Sequence, residues 1–266
     1  VTCGYHGWRY ALSGALLRAP GARANFDPAA HGLAAGAAWE DGPLVFAGER
    51  RGESRWSRVP WLERVTPPSL RRARRVVWEV AANWKLLVEN FQESHHFPSV
   101  HPWLEARTPW KKSHSVTDGD AWLGGRMDLA ADTETVSTTG LLRGRHRIAP
   151  ASLGARVHDA WIAPNVLTSL QPDYLLTYRL HPLAAGCTRV VGEVYAHPAT
   201  RDDDGMDEIH AFWDRTNAED RAVCERQQAG LTSRWPGGIY CSSEAGTHAF
   251  DRWVARRLLR ALEEDA

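Results

Sequence analysis

Val166-Leu167-Thr168-Ser169-Leu170, Leu175-Leu176-Thr177-Tyr178-Arg179-Leu180-His181 and Thr188-Arg189-Val190-Val191-Gly192-Glu193-Val194-Tyr195 are three runs rich in β-branched and aromatic residues, separated by Pro, Asp and Gly. Such runs read as strands, and consecutive strands joined by turn residues point to an antiparallel sheet. Residues 121–129 and 156–162 extend the series upstream. The chain between about 120 and 198 is therefore expected to be a succession of antiparallel strands.

Working outward, the spacing changes on both sides. Trp84, Leu87, Val88 and Phe91 recur at intervals of three and four, with Asn83 placed to cap a helix that Pro98 stops soon after residue 96. Helical periodicity returns over residues 207–229 through Ile209, Phe212, Trp213, Ala218, Val223 and Arg226, and again over 250–262. A sheet flanked by separate helices makes the class α+β. Val76-Val77-Trp78-Glu79-Val80 alternates as one further strand, after a stretch punctuated by Pro60, Pro67 and Pro68. From Tyr5 to Arg50 the pattern is short and turn-punctuated, with Pro43-Leu44-Val45-Phe46 following Asp41-Gly42. This predicts a small β-unit over residues 1–50 and a larger domain over 51–266.

The chain has 266 residues and is 43% hydrophobic, enough for one large core with a small appendage. Lys plus Arg number 32 and Asp plus Glu 32, so no net field draws nucleic acid or an anionic membrane, and a small-molecule substrate is expected. The run Arg71, Arg72, Arg74, Arg75 reads as a solvated helix face. No stretch approaches the roughly 18 apolar residues that span a bilayer. Four separated cysteines, Cys3, Cys187, Cys224 and Cys241, suit a reducing compartment, and a cytoplasmic location is expected. The chain opens at Val1, with Cys3-Gly4-Tyr5-His6 unpreceded by any scaffold, and reads as a piece lacking its N-terminus.

The densest chemistry lies in Glu93-Ser94-His95-His96-Phe97-Pro98-Ser99-Val100-His101. Glu93 and His96 share a face near a helix end, and His101 follows a proline break that lets the chain turn back toward His96. Two neutral imidazoles and a carboxylate leave coordination positions open on iron(II), the arrangement that dioxygen activation requires. Glu219-Asp220, inside the later helix, offers carboxylates, and periodicity favours neither. His95 is expected to point about 100° away from His96 and to line a pocket. At the start, Cys3 and His6 have the spacing of half a Rieske [2Fe–2S] ligand set.

Cys3-Gly4-Tyr5-His6-Gly7-Trp8, with Tyr10, Gly14 and Pro20, resembles the second half of the Rieske motif of ring-hydroxylating oxygenase α subunits, although the family usually has Pro where Gly4 stands. Asn83-Trp84-Lys85-Leu86, Glu89-Asn90-Phe91, Glu93, His96, His101 and Pro102 resemble the mononuclear-iron segment of the same family. Further similarity runs through Pro164-Asn165, Pro172-Asp173-Tyr174 and Tyr178-Arg179-Leu180 into Glu219-Asp220, Cys224-Glu225, Gln228, Gly230 and Ser233. The resemblance implies a helix-grip (SRPBCC/START-like) catalytic domain, its curved antiparallel sheet around a long C-terminal helix, behind the remnant of a Rieske domain. It implies His96, His101 and Asp220 as ligands of a mononuclear Fe(II). Glu93 takes the place of the acid that bridges, across a subunit interface, an iron-ligating histidine and the cluster histidine matching His6. Cys3 and His6 would be two of the four ligands of a [2Fe–2S] cluster whose first Cys-x-His pair is missing here. It further implies a homotrimer and electrons from NAD(P)H through a reductase or ferredoxin. The reaction implied is activation of O2 to hydroxylate or oxidatively demethylate a small aromatic or quaternary-amine substrate. The tail with Glu225, Gln228, Gly230 and Ser233 is most similar to the choline, carnitine and betaine types.

A quaternary ammonium needs an aromatic cage, for which thirteen Trp are available, none singled out by sequence. Two rival readings use the same residues. One is a zinc hydrolase with Glu93 as general base; the other is a non-catalytic helix-grip protein that binds an apolar ligand between sheet and helix.

Overall fold

The computed structural model describes residues 1–48, 58–65, 70–119, 121–233 and 238–264, and the chain divides into two units, Val1–Ser54 and Arg55–Ala266. Residue 50, where the sequence places a boundary, and Pro67 and Pro68 lie outside the described residues. In the first unit β1 (Arg9–Tyr10) pairs antiparallel with β2 (Leu16–Arg18), and β3 (Ala37–Asp41) with β4 (Leu44–Gly48). Gly42 makes the second turn possible at φ +55°, a conformation that favours glycine. Trp39 and Phe46 face each other across that hairpin with stacked rings 5.7 Å apart. Leu16 and Phe46 are the buried apolar side chains of this unit among the described residues.

The second unit begins with β5 (Arg71–Val80), followed by α1 (Trp84–Phe91) and two single-turn helices, α2 (Phe97–Val100) and α3 (Pro102–Glu105). Six strands then run in order: β6 (Ser113–Val116), β7 (Trp122–Asp128), β8 (Arg156–Ile162), β9 (Val166–Leu170), β10 (Tyr174–Ala184) and β11 (Cys187–Ala196). Two long helices close the chain, α4 (Met206–Gly230) and α5 (Ala245–Glu264). All seven strands form one antiparallel sheet in the order β5-β11-β10-β9-β8-β7-β6. The α+β class and the antiparallel meander expected from the alternating runs are both present.

The arginines read as a helix face belong instead to β5. A bulge at Ala73, where the register with β11 shifts between Val194 and Tyr195, divides them between partners: Arg72 bonds Glu193 of β11 at 3.0 Å, whereas Arg74 bonds Asp214 of α4 at 2.9 Å. Pairing with β11 along nearly the whole length of β5 overrides the helix propensity of an Arg-rich run. β6, with the sequence Ser-His-Ser-Val, carries no apolar alternation and was not foreseen.

One face of the sheet is the core. Val80, Leu123, Trp161, Leu167, Leu180 and Val190 pack there against Leu86 and Val88 of α1, Ile209 of α4 and Phe250 of α5. Trp161 is fully buried with its ring 4.9 Å from Phe250 and 4.8 Å from Trp253, both edge-on. At Gly192 of β11 an added Cβ would lie 2.9 Å from the Trp78 ring, so the glycine makes room for the Trp78–Tyr178 edge-to-face pair. On the opposite face Trp61 covers Trp122 and His158.

The start of α4 is fixed by a fully buried ion pair. Arg145 donates from Nε to Asp173 Oδ2 at 2.6 Å, from Nη1 to the carbonyls of Asp204 and Gly205, and from Nη2 to that of Leu141. Thr135 donates to the other oxygen of Asp173. Removing one partner leaves an uncompensated buried charge, so Asp173→Asn is expected to lower the unfolding free energy in urea by about 3–5 kcal/mol. A loss under about 1 kcal/mol would contradict this role for the pair.

Candidate metal centre

Two distant segments build the centre. Asn83 caps α1 through its side chain, which accepts from the Lys85 amide at 3.1 Å. The corner between β5 and α1 is held from α4: Glu225 accepts from the Ala81 amide at 3.1 Å and Gln228 from the Asn83 amide at 2.8 Å. These two residues, singled out in the sequence as a substrate-type signature, therefore bear directly on where α1 sits.

The helix stops at Phe91, earlier than its sequence periodicity suggests, and Glu93 and His96 face each other across a turn rather than on a helix. Glu93 accepts from the His95 and His96 amides, which fixes the turn, and its other oxygen meets His96 Nδ1. Pro98 and Pro102 stand in the first turns of α2 and α3, where a missing N–H costs nothing. His101 joins the two: its amide donates to the Phe97 carbonyl at 2.8 Å and its carbonyl accepts from Glu105 at 2.9 Å. That bend turns the fully buried His101 ring back toward His96, with centroids 5.2 Å apart.

The third group comes from the middle of α4. One donor atom from each of His96, His101 and Asp220 lies within 4.8 Å of the others. Asp220 Oδ1 is 2.8 Å from His101 Nε2 and 3.6 Å from His96 Nε2. Glu219, the other carboxylate that the sequence offered, does something different: its Oε2 accepts from His101 Nδ1 at 2.8 Å. Each imidazole thus turns Nε2 inward to Asp220 while a carboxylate holds its Nδ1, Glu93 for His96 and Glu219 for His101. Outer carboxylates of this kind fix ring orientation and tautomer at metal sites and raise ligand basicity. Two nitrogens and one oxygen in a converging set fit a divalent first-row metal with positions left open.

Electrostatics in the metal-free chain follow from the same contacts. Burial draws the His96 imidazole down, but hydrogen bonds to Asp220 and Glu93 outweigh it and lift it to about 9. His101 is also raised: burial opposes, and Asp220 and Glu219 prevail. Asp220 is lowered, because its bonds to His101 and His96 overcome the cost of burial.

Asn90, on the last turn of α1, was not identified from sequence as a site residue. Its Nδ2 donates to Asp220 Oδ1 at 3.1 Å and lies 3.2 Å from His96 Nε2, while its Oδ1 faces Cys224 Sγ at 3.6 Å. The available signal was its place in Glu89-Asn90-Phe91, part of the stretch that resembles the mononuclear-iron segment. His95 points away from the centre, its ring 4.8 Å from Trp110 and its Nδ1 3.5 Å from Cys241 Sγ. A largely apolar cavity opens beside the centre, walled by Trp78, Phe91, Tyr178, Leu180 and Trp213 and reached by His96 and Asp220.

In the first unit, Cys3 and His6 lie in a tight loop closed by Cys3 N–H to the Trp8 carbonyl at 2.8 Å and Gly7 N–H to the Cys3 carbonyl at 3.1 Å. Both side chains are exposed, and the Tyr5 and His6 amides directed at Cys3 lower its thiol. The four cysteines are free. No helix among the described residues is long and apolar enough to cross a membrane.

Comparison with known proteins agrees with this geometry. Residues 67–260 match the family model of the ring-hydroxylating α subunit catalytic domain. Chloroplastic choline monooxygenase of Beta vulgaris is 26% identical over 96% of this chain, and the chain spans 58% of that relative's length. The glycine betaine monooxygenase oxygenase subunit of Pseudomonas aeruginosa (strain UCBPP-PA14) is also 26% identical, over 100% of this chain and 71% of its own. Among solved structures, the quaternary ammonium Rieske monooxygenase CntA superposes with a TM-score of 0.75 at 23% identity, over 96% of this chain and 71% of that one. Naphthalene 1,2-dioxygenase from Rhodococcus sp. gives 0.68 at 14% identity, over 96% and 74%. At such identities the two structures speak for a shared fold, a Rieske-oxygenase catalytic domain, and the family model speaks for descent. The chain belongs to the family of ring-hydroxylating α subunits.

Proposed function

We propose that His96, His101 and Asp220 hold one iron(II) and that the cavity beside them binds a small organic substrate for oxygenation. The observation that carries this reading is the convergence of exactly two imidazole nitrogens and one carboxylate oxygen at a cavity wall, each imidazole held from behind by an acid. When bound, the iron supplies reductive activation of dioxygen, leading to hydroxylation or oxidative demethylation of the substrate. The protein's own share is positioning. Glu93 and Glu219 orient the two rings, Asn90 holds Asp220, and the apolar walls exclude water from the space where the substrate lies.

In the same reading, residues 1–50 are the end of a Rieske domain and residues 51–266 the catalytic domain. Cys3 and His6 provide two ligands of a [2Fe–2S] cluster. Glu93 connects His96 electronically to the cluster of a neighbouring subunit in a homotrimer. Electrons come from NAD(P)H through a reductase or ferredoxin. Relatives named for choline and glycine betaine support an amine-type substrate rather than a plain arene.

Two outcomes test the reading. Anaerobic reconstitution is expected to load one iron per chain, and His101→Ala to abolish that loading; a stoichiometric zinc site that excludes iron would favour a hydrolase instead. Glu219→Ala is expected to weaken iron binding about 10–100-fold in competition with a chelator, because it frees the His101 ring. Unchanged affinity would show that the Glu219–His101 bond is not part of the centre.

A further inference from the structure

Away from the metal-binding side chains, the inner face of the sheet carries three polar residues in a row. Asp159 of β8 stands opposite Ser169 of β9, and Gln171 follows at the end of β9. Gln171 Nε2 donates to Ser169 Oγ at 2.9 Å, and the Ser169 hydroxyl is directed at Asp159, whose charged form it favours. A serine has a single proton to give. Once it goes to Asp159, Gln171 must turn its NH2 toward Ser169, which fixes the amide with Oε1 pointing away.

Two acceptors are left over. Asp159 Oδ1 and Gln171 Oε1 are buried and receive no hydrogen bond from the protein. Both residues line the cavity beside the metal centre, so both deficits belong to one space. Buried polar groups are nearly always paired, and an unpaired acceptor on a cavity wall marks where a ligand donates. The charge is also unanswered. Arg221, the arginine on the cavity wall among the described residues, already donates to Glu225 at 2.9 Å. Burial raises Asp159 to about 7, as expected of a carboxylate with no cation beside it. The edge-to-face pair of Trp78 and Tyr178 adds an aromatic corner to the same cavity, suited to alkyl groups on a cation.

We propose that Asp159, Ser169 and Gln171 form the substrate's head-group subsite, and that it takes a small protonated amine with two N–H groups, one donating to Asp159 Oδ1 and the other to Gln171 Oε1. This rests on the cavity being the substrate site proposed above, and it narrows the amine class. A quaternary ammonium presents only methyl groups and leaves both acceptors unpaired. A zwitterion that brings a carboxylate to this end meets the like charge of Asp159.

Titration of the intact chain, followed by the fluorescence of Trp78 and Trp213 in the cavity wall, separates these cases. Butylmethylammonium carries two N–H groups, one for each acceptor, and butyltrimethylammonium is the same cation with methyl groups in their place. The first is expected to bind at least about tenfold more tightly, since the second leaves buried acceptors unpaired. Asp159→Asn, of nearly equal volume, is expected to abolish the preference, and Gln171→Met to reduce it. Equal binding of the two cations by the unmodified chain, or tighter binding of the quaternary one, overturns the subsite whatever the variants do. Iron content measured on the same samples keeps the two proposals apart: an amine preference without iron loading defeats the oxygenase reading alone, and iron loading without the preference defeats the subsite alone.

Discussion

Everything in the larger unit is arranged around the bond between His101 and Asp220, which joins a broken stretch after α1 to the middle of α4. Burying an imidazole and a carboxylate is unfavourable unless each is fully hydrogen-bonded. The structure meets that condition from both sides. His101 has Asp220 on one nitrogen and Glu219 on the other, and Asp220 also receives Asn90. That satisfaction depends in turn on α1 and α4 lying side by side, which Glu225, Gln228 and the Cys224 thiol secure at the β5–α1 corner and along the helix.

The sheet sets the rest of the geometry. Because β5 pairs with β11, the last strand of the meander, the chain after α1 brings His96 to the cavity wall, with the buried His101 ring beside it. The inner face then supplies that wall, apolar at Leu167, Leu180 and Val190 and polar at Asp159, Ser169 and Gln171. Strands supply much of the cavity wall, and the helices with their connecting turn carry His96, His101 and Asp220.

Much of this was legible in sequence. Alternation in β8 to β11 gave the sheet, Asn83 gave the start of α1, and the His96 to His101 spacing across Pro98 marked the centre. Other parts depend on tertiary contacts that no local pattern encodes. Glu219 and Asp220 are separated by about 100° on a helix that is half-buried along this stretch. Phe212 and Trp213 straddle the buried stripe in the same way, so periodicity gives no choice between the acids; the choice is made by which one meets His101 Nε2. The arginines of β5 show the converse. Their local preference is helical, and they become a strand because β11, Glu193 and Asp214 are there to pair with them. Asn90 lies in the stretch that resembles the iron segment, but its contact with Asp220 exists only once α4 packs beside α1.

The central claim is that two imidazoles and one carboxylate hold iron(II) with positions still open toward the cavity. Addition of nitric oxide to the anaerobically iron-loaded chain, read by electron paramagnetic resonance, tests it most directly. The account predicts the half-integer signal of a ferrous nitrosyl in the loaded chain and its loss in Asp220→Ala. Iron that is retained by Asp220→Ala, or that gives no nitrosyl signal in the unmodified chain, would contradict it.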